Sequence, residues 1–231
     1  MLERICPVIA GLSPQARDAL IARAVPRTLE RGDALFFAGD SSGRTHVLLE
    51  GVLKLCASDS HGNESILGLA VPGDLVGEIS AIDGEPQPLD AIAATHCELV
   101  GLDSVTLLHA ITTTPSAAGE MLQMMAQRTR SMSDSAFERT LAHVPARLAG
   151  RLLDLADSLG YMNSGTIELE LPLAQGDLGR LAGMCRESAC KTLQKFKRSG
   201  VVDYKGRRLR ILRPDVLEKI RCAGRAAKPS P

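Results

Sequence analysis

The residues in this chain best suited to specific chemistry are Arg186 and Glu187, in the run Gly183-Met184-Cys185-Arg186-Glu187-Ser188-Ala189-Cys190-Lys191. The run reads as a tight turn followed by a helix whose first turn carries both charges. A helix start of this kind can probe base edges in a DNA major groove. The Arg fork matches the O6 and N7 acceptors of guanine, and Glu can accept from the N4 amine of cytosine. A plainer reading pairs Glu187 with Lys191 as an i,i+4 ion pair, but it leaves Arg186 unexplained. Cys185 sits at the turn into the helix N-terminus among basic residues, a setting that lowers a thiol pKa. Cys185 and Cys190 are therefore candidate redox residues.

The charge distribution supports a nucleic-acid face. The 231-residue chain is neutral, with 27 Lys/Arg against 27 Asp/Glu. Between Gln175 and Arg213, however, eleven basic residues stand against Asp177, Glu187 and Asp203, a balance of +8, which leaves −8 for the other residues. A basic binding module attached to an acidic partner module is expected. Trp is absent and aromatics are 3%, which disfavours single-strand binding on stacking platforms. The six cysteines form no Cys-x-x-Cys and no disulfide-like framework. No signal peptide or membrane span is evident, and a reducing cytosol is the expected location.

Several elements must position this face. Ala174 to Leu181 reads as a short helix, Gly183 as a turn, and Arg186 to Arg198 as a second helix ended by Gly200. Val201 to Tyr204, a turn at Lys205-Gly206, and Arg208 to Ile211 read as a hairpin. Together they predict a winged helix-turn-helix. Before it, Ile167, Leu169 and Leu171 alternate with Glu168 and Glu170 as in a half-buried strand, after a turn at Asn163-Ser164-Gly165. Ala146 to Leu159 is an amphipathic helix that follows a break at Pro145. From about Thr114 the pattern is helical, and Leu122, Met125, Thr129, Met132, Ala136 and Arg139 follow a weak heptad seam. A narrow seam needs a partner helix, and a second copy of the chain is the expected one.

The N-terminal part has a different character. Leu12 to Val25 reads as a helix, capped by Ser13 with Pro14 in its first turn. From Thr28 to about Leu102, short apolar runs alternate with glycine turns, which predicts an antiparallel barrel or sandwich.

Over nearly its whole length the chain resembles the Crp/Fnr regulators. The N-terminal motifs are Arg31-Gly32-Asp33 to Gly39-Asp40, Leu49-Glu50-Gly51 to Leu55, and Pro72-Gly73-Asp74-Leu75-Val76-Gly77-Glu78-Ile79. They are similar to the family's cyclic-nucleotide-binding β-roll. The run Cys185-Arg186-Glu187-Ser188 looks like its recognition helix, and the helical tract between them like its dimerisation helix. The resemblance implies that Arg186, Glu187 and Lys191 read a half-site. Lys191 departs from the Arg usual there; it is a point donor rather than a planar fork. Ser188 would donate to phosphate. Arg180, Lys205, Arg207 and Arg208 would clamp the DNA backbone without specifying sequence. The implied partners are double-stranded DNA bearing a palindrome of the TGTGA or TTGAT type, a second copy of the chain, and RNA polymerase.

The effector pocket departs further. Cyclic-nucleotide binders of the family pair the phosphate with an Arg of an Arg-Ser dipeptide and hold the ribose with the Glu of Gly-Glu-Leu. Here Gly77-Glu78-Ile79 is kept, but the Arg-Ser position falls on Gln87-Pro88. Gln carries no charge and Pro88 offers no backbone donor, so an effector other than cyclic AMP, or none, is expected. Met132 completes the candidate pocket. The iron–sulfur branch of the family needs clustered N-terminal cysteines, and only Cys6 stands there. None of His46, His61, His96, His109 and His143 has a spacing diagnostic of a haem or metal ligand. No cofactor and no metal site is expected. A Cys replacing the Ser common at position 185 is the plain alternative to redox control.

The expected fold class is α+β: a β-roll sensor over 1–112, a dimerisation helix over 113–143, a winged helix-turn-helix over 144–223, and a disordered tail over 224–231. Two rivals are a ligand-binding module whose winged domain binds protein, and an enzyme. No Ser/His/Asp, metal-ligand or phosphate-loop constellation supports the enzyme.

Overall fold

The computed structural model describes residues 2, 6–41, 43–59, 64–163 and 165–223. His61, Ser164 of the expected turn and the tail 224–231 lie outside the described residues. The chain divides into two compact units, Met1–Arg130 and Ser131–Pro231.

The first unit opens with α1 (Pro7–Ala10) and α2 (Pro14–Ile21). Ser13 caps α2, its Oγ accepting from the Ala16 N–H at 3.3 Å. The helix is shorter than the expected Leu12–Val25, because Val25 opens strand β1 (Val25–Leu29). Pro26 follows Val25, and a residue before proline is pushed from helical toward extended backbone. The chain continues through β2 (Ala34–Phe36), β3 (Arg44–Glu50), β4 (Leu53–Ser58), β5 (Glu64–Ala70), β6 (Leu75–Val76), α3 (Glu78–Asp83), β7 (Asp90–Ala93), β8 (Cys97–Asp103) and α4 (Ser104–Thr113). It then enters α5 (Pro115–Leu141), whose 27 residues run into the second unit.

The eight strands form two antiparallel sheets of order β1-β8-β3-β6 and β2-β7-β4-β5. One core lies between them, where Leu29, Leu48 and Leu99 of the first sheet meet Leu35, Leu53 and Ala91 of the second. Strand side chains alternate between faces. Val47, next to Leu48 on β3, therefore joins a second core with Leu20, Leu107, Ile111, Ala117 and Met121 of α2, α4 and α5. Strand β3 is therefore buried on both faces, Leu48 between the sheets and Val47 beneath the helices.

The second unit holds the end of α5, then α6 (Val144–Leu159), β9 (Tyr161–Asn163), β10 (Thr166–Glu170), α7 (Gln175–Leu181), α8 (Arg186–Arg198), β11 (Val202–Lys205), β12 (Arg208–Ile211) and α9 (Pro214–Ala223). The break expected at Pro145 falls earlier, between Leu141 and Val144, and Pro145 sits in the first turn of α6, with His143 as N-cap. There the missing N–H has no intrahelical partner to lose. The last turn of α5 is tied to α6 and α9 by charge. Arg151 donates to Glu138 Oε2 at 2.7 Å and to Asp154 Oδ2 at 2.9 Å, and Arg221 lies 3.6 Å from both carboxylates. Strands β11-β12-β10-β9 form the small antiparallel sheet. Among the described residues, no helix is long and apolar enough to cross a membrane.

Candidate nucleic-acid interface

Helices α7 and α8 are joined by a turn that favours glycine. Gly183 has φ +62°, a left-handed conformation strained for other residues. At Gly179 a Cβ would lie 3.1 Å from the Met184 carbonyl of the turn and 3.4 Å from the Ala189 Cβ, so α7 packs closely on the start of α8. Ala189, Thr192, Leu193 and Phe196 form the buried stripe of α8, a 3-4 spacing that faces one side of a helix. That stripe turns Arg186, Glu187 and Lys191 outward, and all three are exposed. Gly200, at φ +67°, ends the helix.

The three expected readers therefore share one solvent face. Glu187 and Lys191 pair with each other at 2.6 Å, each side chain 74% exposed. Arg186 makes no ion pair among the described residues. Ser188 is half-buried, its Oγ 3.2 Å from Cys185 Sγ. Cys185 is the exposed N-cap of α8. Hydrogen bonding by the Ser188 hydroxyl, and then by the Ser188 backbone N–H, holds its thiol below the ordinary range. Cys190 is half-buried on the same helix.

The wing follows the helix. Lys205 pairs in register with Arg208, so the turn is Gly206-Arg207, one residue later than the expected Lys205-Gly206. Lys205 and Arg208 are exposed on either side of it. Arg207, expected to clamp the DNA backbone, is also tied into its own unit. Its Nε donates to the Leu171 carbonyl at 3.0 Å and its Nη2 to the Pro172 carbonyl at 2.9 Å, which anchors the turn to the end of β10. Arg180 is exposed but paired with Asp177 at 3.0 Å. The pattern gives no sign of Lys197, which braces α8 against the wing through Asp203 at 2.8 Å and the Tyr204 carbonyl at 2.8 Å.

In the first unit, Gly77 has φ +86° at the start of α3 and delivers Glu78 into the interior, 3% exposed. Glu78 is ion-paired with Arg128 of α5, which also donates to the Leu75 carbonyl at 2.6 Å. Gln87 is buried as well. Its backbone N–H donates to the Asp40 carbonyl at 2.9 Å, its carbonyl accepts from Gly39 at 2.8 Å, and its Nε2 has no partner. A Cβ on Gly77 would stand 3.2 Å from that Nε2, so Gln87 lies against Gly77, the residue before Glu78. Ile79 and Pro88 are exposed, and Met132 belongs to the second unit. A cation does reach this site, but from Arg128, fifty positions from its partner Glu78 and beyond any local spacing signal.

Of the seam residues, Leu122 is 71% and Met132 63% exposed, and Thr129 and Ala136 are exposed too. Met125 is half-buried against the helical core of its own unit.

An antiparallel β-roll with a long helix, followed by a winged helix-turn-helix with an outward Arg at its helix start, defines a DNA-binding regulator with an attached β-roll domain. Residues 26–114 match the cyclic nucleotide-binding domain and residues 146–220 the Crp-like helix-turn-helix domain. The chain belongs to the Crp/Fnr family of DNA-binding transcription regulators. It is 28% identical over 204 residues to the CRP-like cAMP-activated global transcriptional regulator of Mycobacterium tuberculosis strain H37Rv, covering 88% of this chain and 91% of that protein. It is 26% identical over 203 residues to the fumarate and nitrate reduction regulatory protein of Escherichia coli strain K12, covering 88% and 80%. The fold is shared with FixK2 from Bradyrhizobium japonicum, at a TM-score of 0.76 and 18% identity over 85% of this chain and 96% of that one.

Proposed function

We propose that the chain acts in the cytoplasm as a homodimer that binds a palindromic operator, with an effector other than cyclic AMP or none. The observation that carries the DNA reading is the outward face of α8, where Arg186 stands at the helix start beside Glu187 and Lys191. Lys205 and Arg208 supply phosphate contacts from the wing, and Ser188 and Arg180 from the helix-turn-helix. The exposed Leu122, Thr129, Met132 and Ala136 supply a seam for a second α5. Two-fold symmetry then requires half-sites about one helical turn of DNA apart. RNA polymerase is the expected protein partner.

The effector reading rests on Gln87 and Arg128. A cyclic phosphate needs a charge-assisted donor, whereas Gln87 is neutral and Arg128 is already engaged by Glu78. Selection of bound DNA from a random pool tests the first part; enrichment of an inverted repeat supports it, and no enriched sequence refutes it. Calorimetry tests the second: micromolar or tighter cyclic AMP binding overturns it. A redox reading is favoured by one observation, the exposed Cys185 thiol held below its ordinary range at the start of the reading helix.

A further inference from the structure

Arg139 stands in the last turn of α5, inside the second unit, where heptad spacing groups it with Leu122 and Met132. Its backbone is fixed from α6 and α9. The neighbouring Glu138 is 4% exposed and is held by Arg151 and Arg221, and the Arg139 carbonyl accepts from Arg147 Nη1 at 3.3 Å. The Arg139 side chain runs onto the turn between α7 and α8. A Cβ built on Gly183 would stand 3.2 Å from Arg139 Cγ and 3.6 Å from its Cδ and Nε, so the stem fills the space that a side chain at 183 would take. Glycine is therefore favoured here twice, by its left-handed backbone and by the Arg139 stem. Arginine stems laid along a surface stabilise by packing as well as by charge. The guanidinium is itself partly desolvated: burial, and then Arg151 and Arg147, hold its pKa below the ordinary arginine range.

We infer that Arg139 is a positioning residue for the DNA-reading helix, its stem clamping the α7–α8 turn so that Arg186 is held in place. The turn is tied to α7 by the Gly183 N–H, which donates to the Arg180 carbonyl at 3.1 Å, and by the Met184 N–H, which donates to the Gly179 carbonyl at 2.9 Å. Arg186 follows Met184 by two residues, so a shift of the turn passes directly to the start of α8. Base contacts depend on hydrogen-bond geometry, whereas the phosphate contribution is largely sequence-independent attraction. Loss of the clamp should therefore reduce specificity before it reduces general affinity for DNA. The inference rests on the reading of Arg186 as a base reader for this consequence at DNA, and not for the clamp itself.

Hydrogen exchange of the full chain, followed by NMR, reads the clamp without DNA. Arg139→Ala should speed exchange of the Gly183 and Met184 amides about tenfold while α6 amides hold, and Arg139→Met, which keeps most of the stem, should change them little. Unchanged exchange, or a rise spread evenly over the second unit, overturns the clamp. Gly183→Asn probes the contact from the other side, because Asn tolerates left-handed backbone. It should lower the Tm, and lower it less in the Arg139→Ala background; equal losses in both backgrounds overturn the contact. On the selected operator, Arg139→Ala should weaken binding about tenfold, roughly one base contact, with little change on random DNA, and Arg139→Met should bind nearly as the parent does. Equal losses on both DNAs for both Arg139 substitutions, with a shallower salt dependence, make Arg139 a phosphate contact and overturn the positioning role. Equal losses on both DNAs confined to Arg139→Ala show only a smaller folded fraction and overturn it too. If the parent chain selects no operator, the Arg186 reading fails, and the exchange result still decides the clamp.

Discussion

Replacing Arg128 with Met should destabilise the sensor unit by about 3 kcal/mol, and a second substitution, Glu78→Gln, should recover much of that loss. Glu78 is 3% exposed, so its carboxylate depends on Arg128 for its charge partner. Removing one member of a buried pair leaves a desolvated charge and costs about 3–5 kcal/mol. The Arg128 side chain is 27% exposed, so water screens the pair in part and the lower end applies. Met keeps most of the stem volume while removing the hydrogen bonds to Glu78 and Leu75. A loss of this size is a large share of the 5–15 kcal/mol typical of folded domains. The assay is urea unfolding followed by far-UV circular dichroism, since the chain has no Trp to report by fluorescence. A double-mutant cycle over Arg128→Met and Glu78→Gln isolates the pair. A single-mutant loss below about 1 kcal/mol would place the pair in the solvent-screened class and refute the reasoning. So would losses that simply add in the double mutant, because two contacting charges must couple.

Arg186→Ala should lower affinity for the selected operator by about 1–3 kcal/mol while changing affinity for random DNA much less; equal losses on both would make Arg186 a phosphate contact only. Lys205→Ala and Arg208→Ala should each weaken binding to all sequences and reduce the slope of log affinity against log salt by roughly one. Arg207→Ala should instead lower the stability of the winged unit, seen as a reduced Tm, because it removes two bonds to carbonyls. His46, 7% exposed, has its pKa lowered to about 4 by burial and then by Arg27 and Arg44. Its unfolded form takes a proton below about pH 6.5 while the folded form stays neutral, so stability present above that pH is lost as pH falls toward 4. The span corresponds to about 3 kcal/mol, and His46→Gln should flatten the stability profile between these limits. At neutral pH, Cys185 should alkylate faster than Cys6, Cys56 or Cys97, whose thiols burial pushes up. If peroxide leaves operator affinity unchanged, redox control through Cys185 fails.

The α8 boundaries are legible in the sequence because both ends carry glycines with left-handed backbone and the interior has a clear apolar stripe. The β-roll is legible through alternating apolar runs and turn glycines. Other features have no local signal. Helix α3 is six residues long, less than two full turns, so no periodicity can develop. Pro145 is a helix start or a helix stop depending on which side the neighbouring residues pack, and only the tertiary structure decides. Met125 fits the seam by spacing, yet the apolar core beneath α5 takes it in. Arg207 looks like its neighbours Lys205 and Arg208 in a basic run. The two carbonyls that engage it come from residues 36 and 35 positions earlier. The pairing of Glu78 with Arg128 is hidden for the same reason.

The ion pair between Glu187 and Lys191 does not compete with base reading. Both side chains are 74% exposed, and pairs of that exposure contribute about 0.2–1 kcal/mol in water. A good base contact supplies about 1–3 kcal/mol of discrimination. Breaking the pair to engage DNA is therefore favoured even when only one of the two residues finds a base partner. Arg186 has no ion pair to give up among the described residues, and its planar fork suits bidentate contact with guanine. Discrimination at this interface should accordingly rest most heavily on Arg186, with Glu187 and Lys191 refining it.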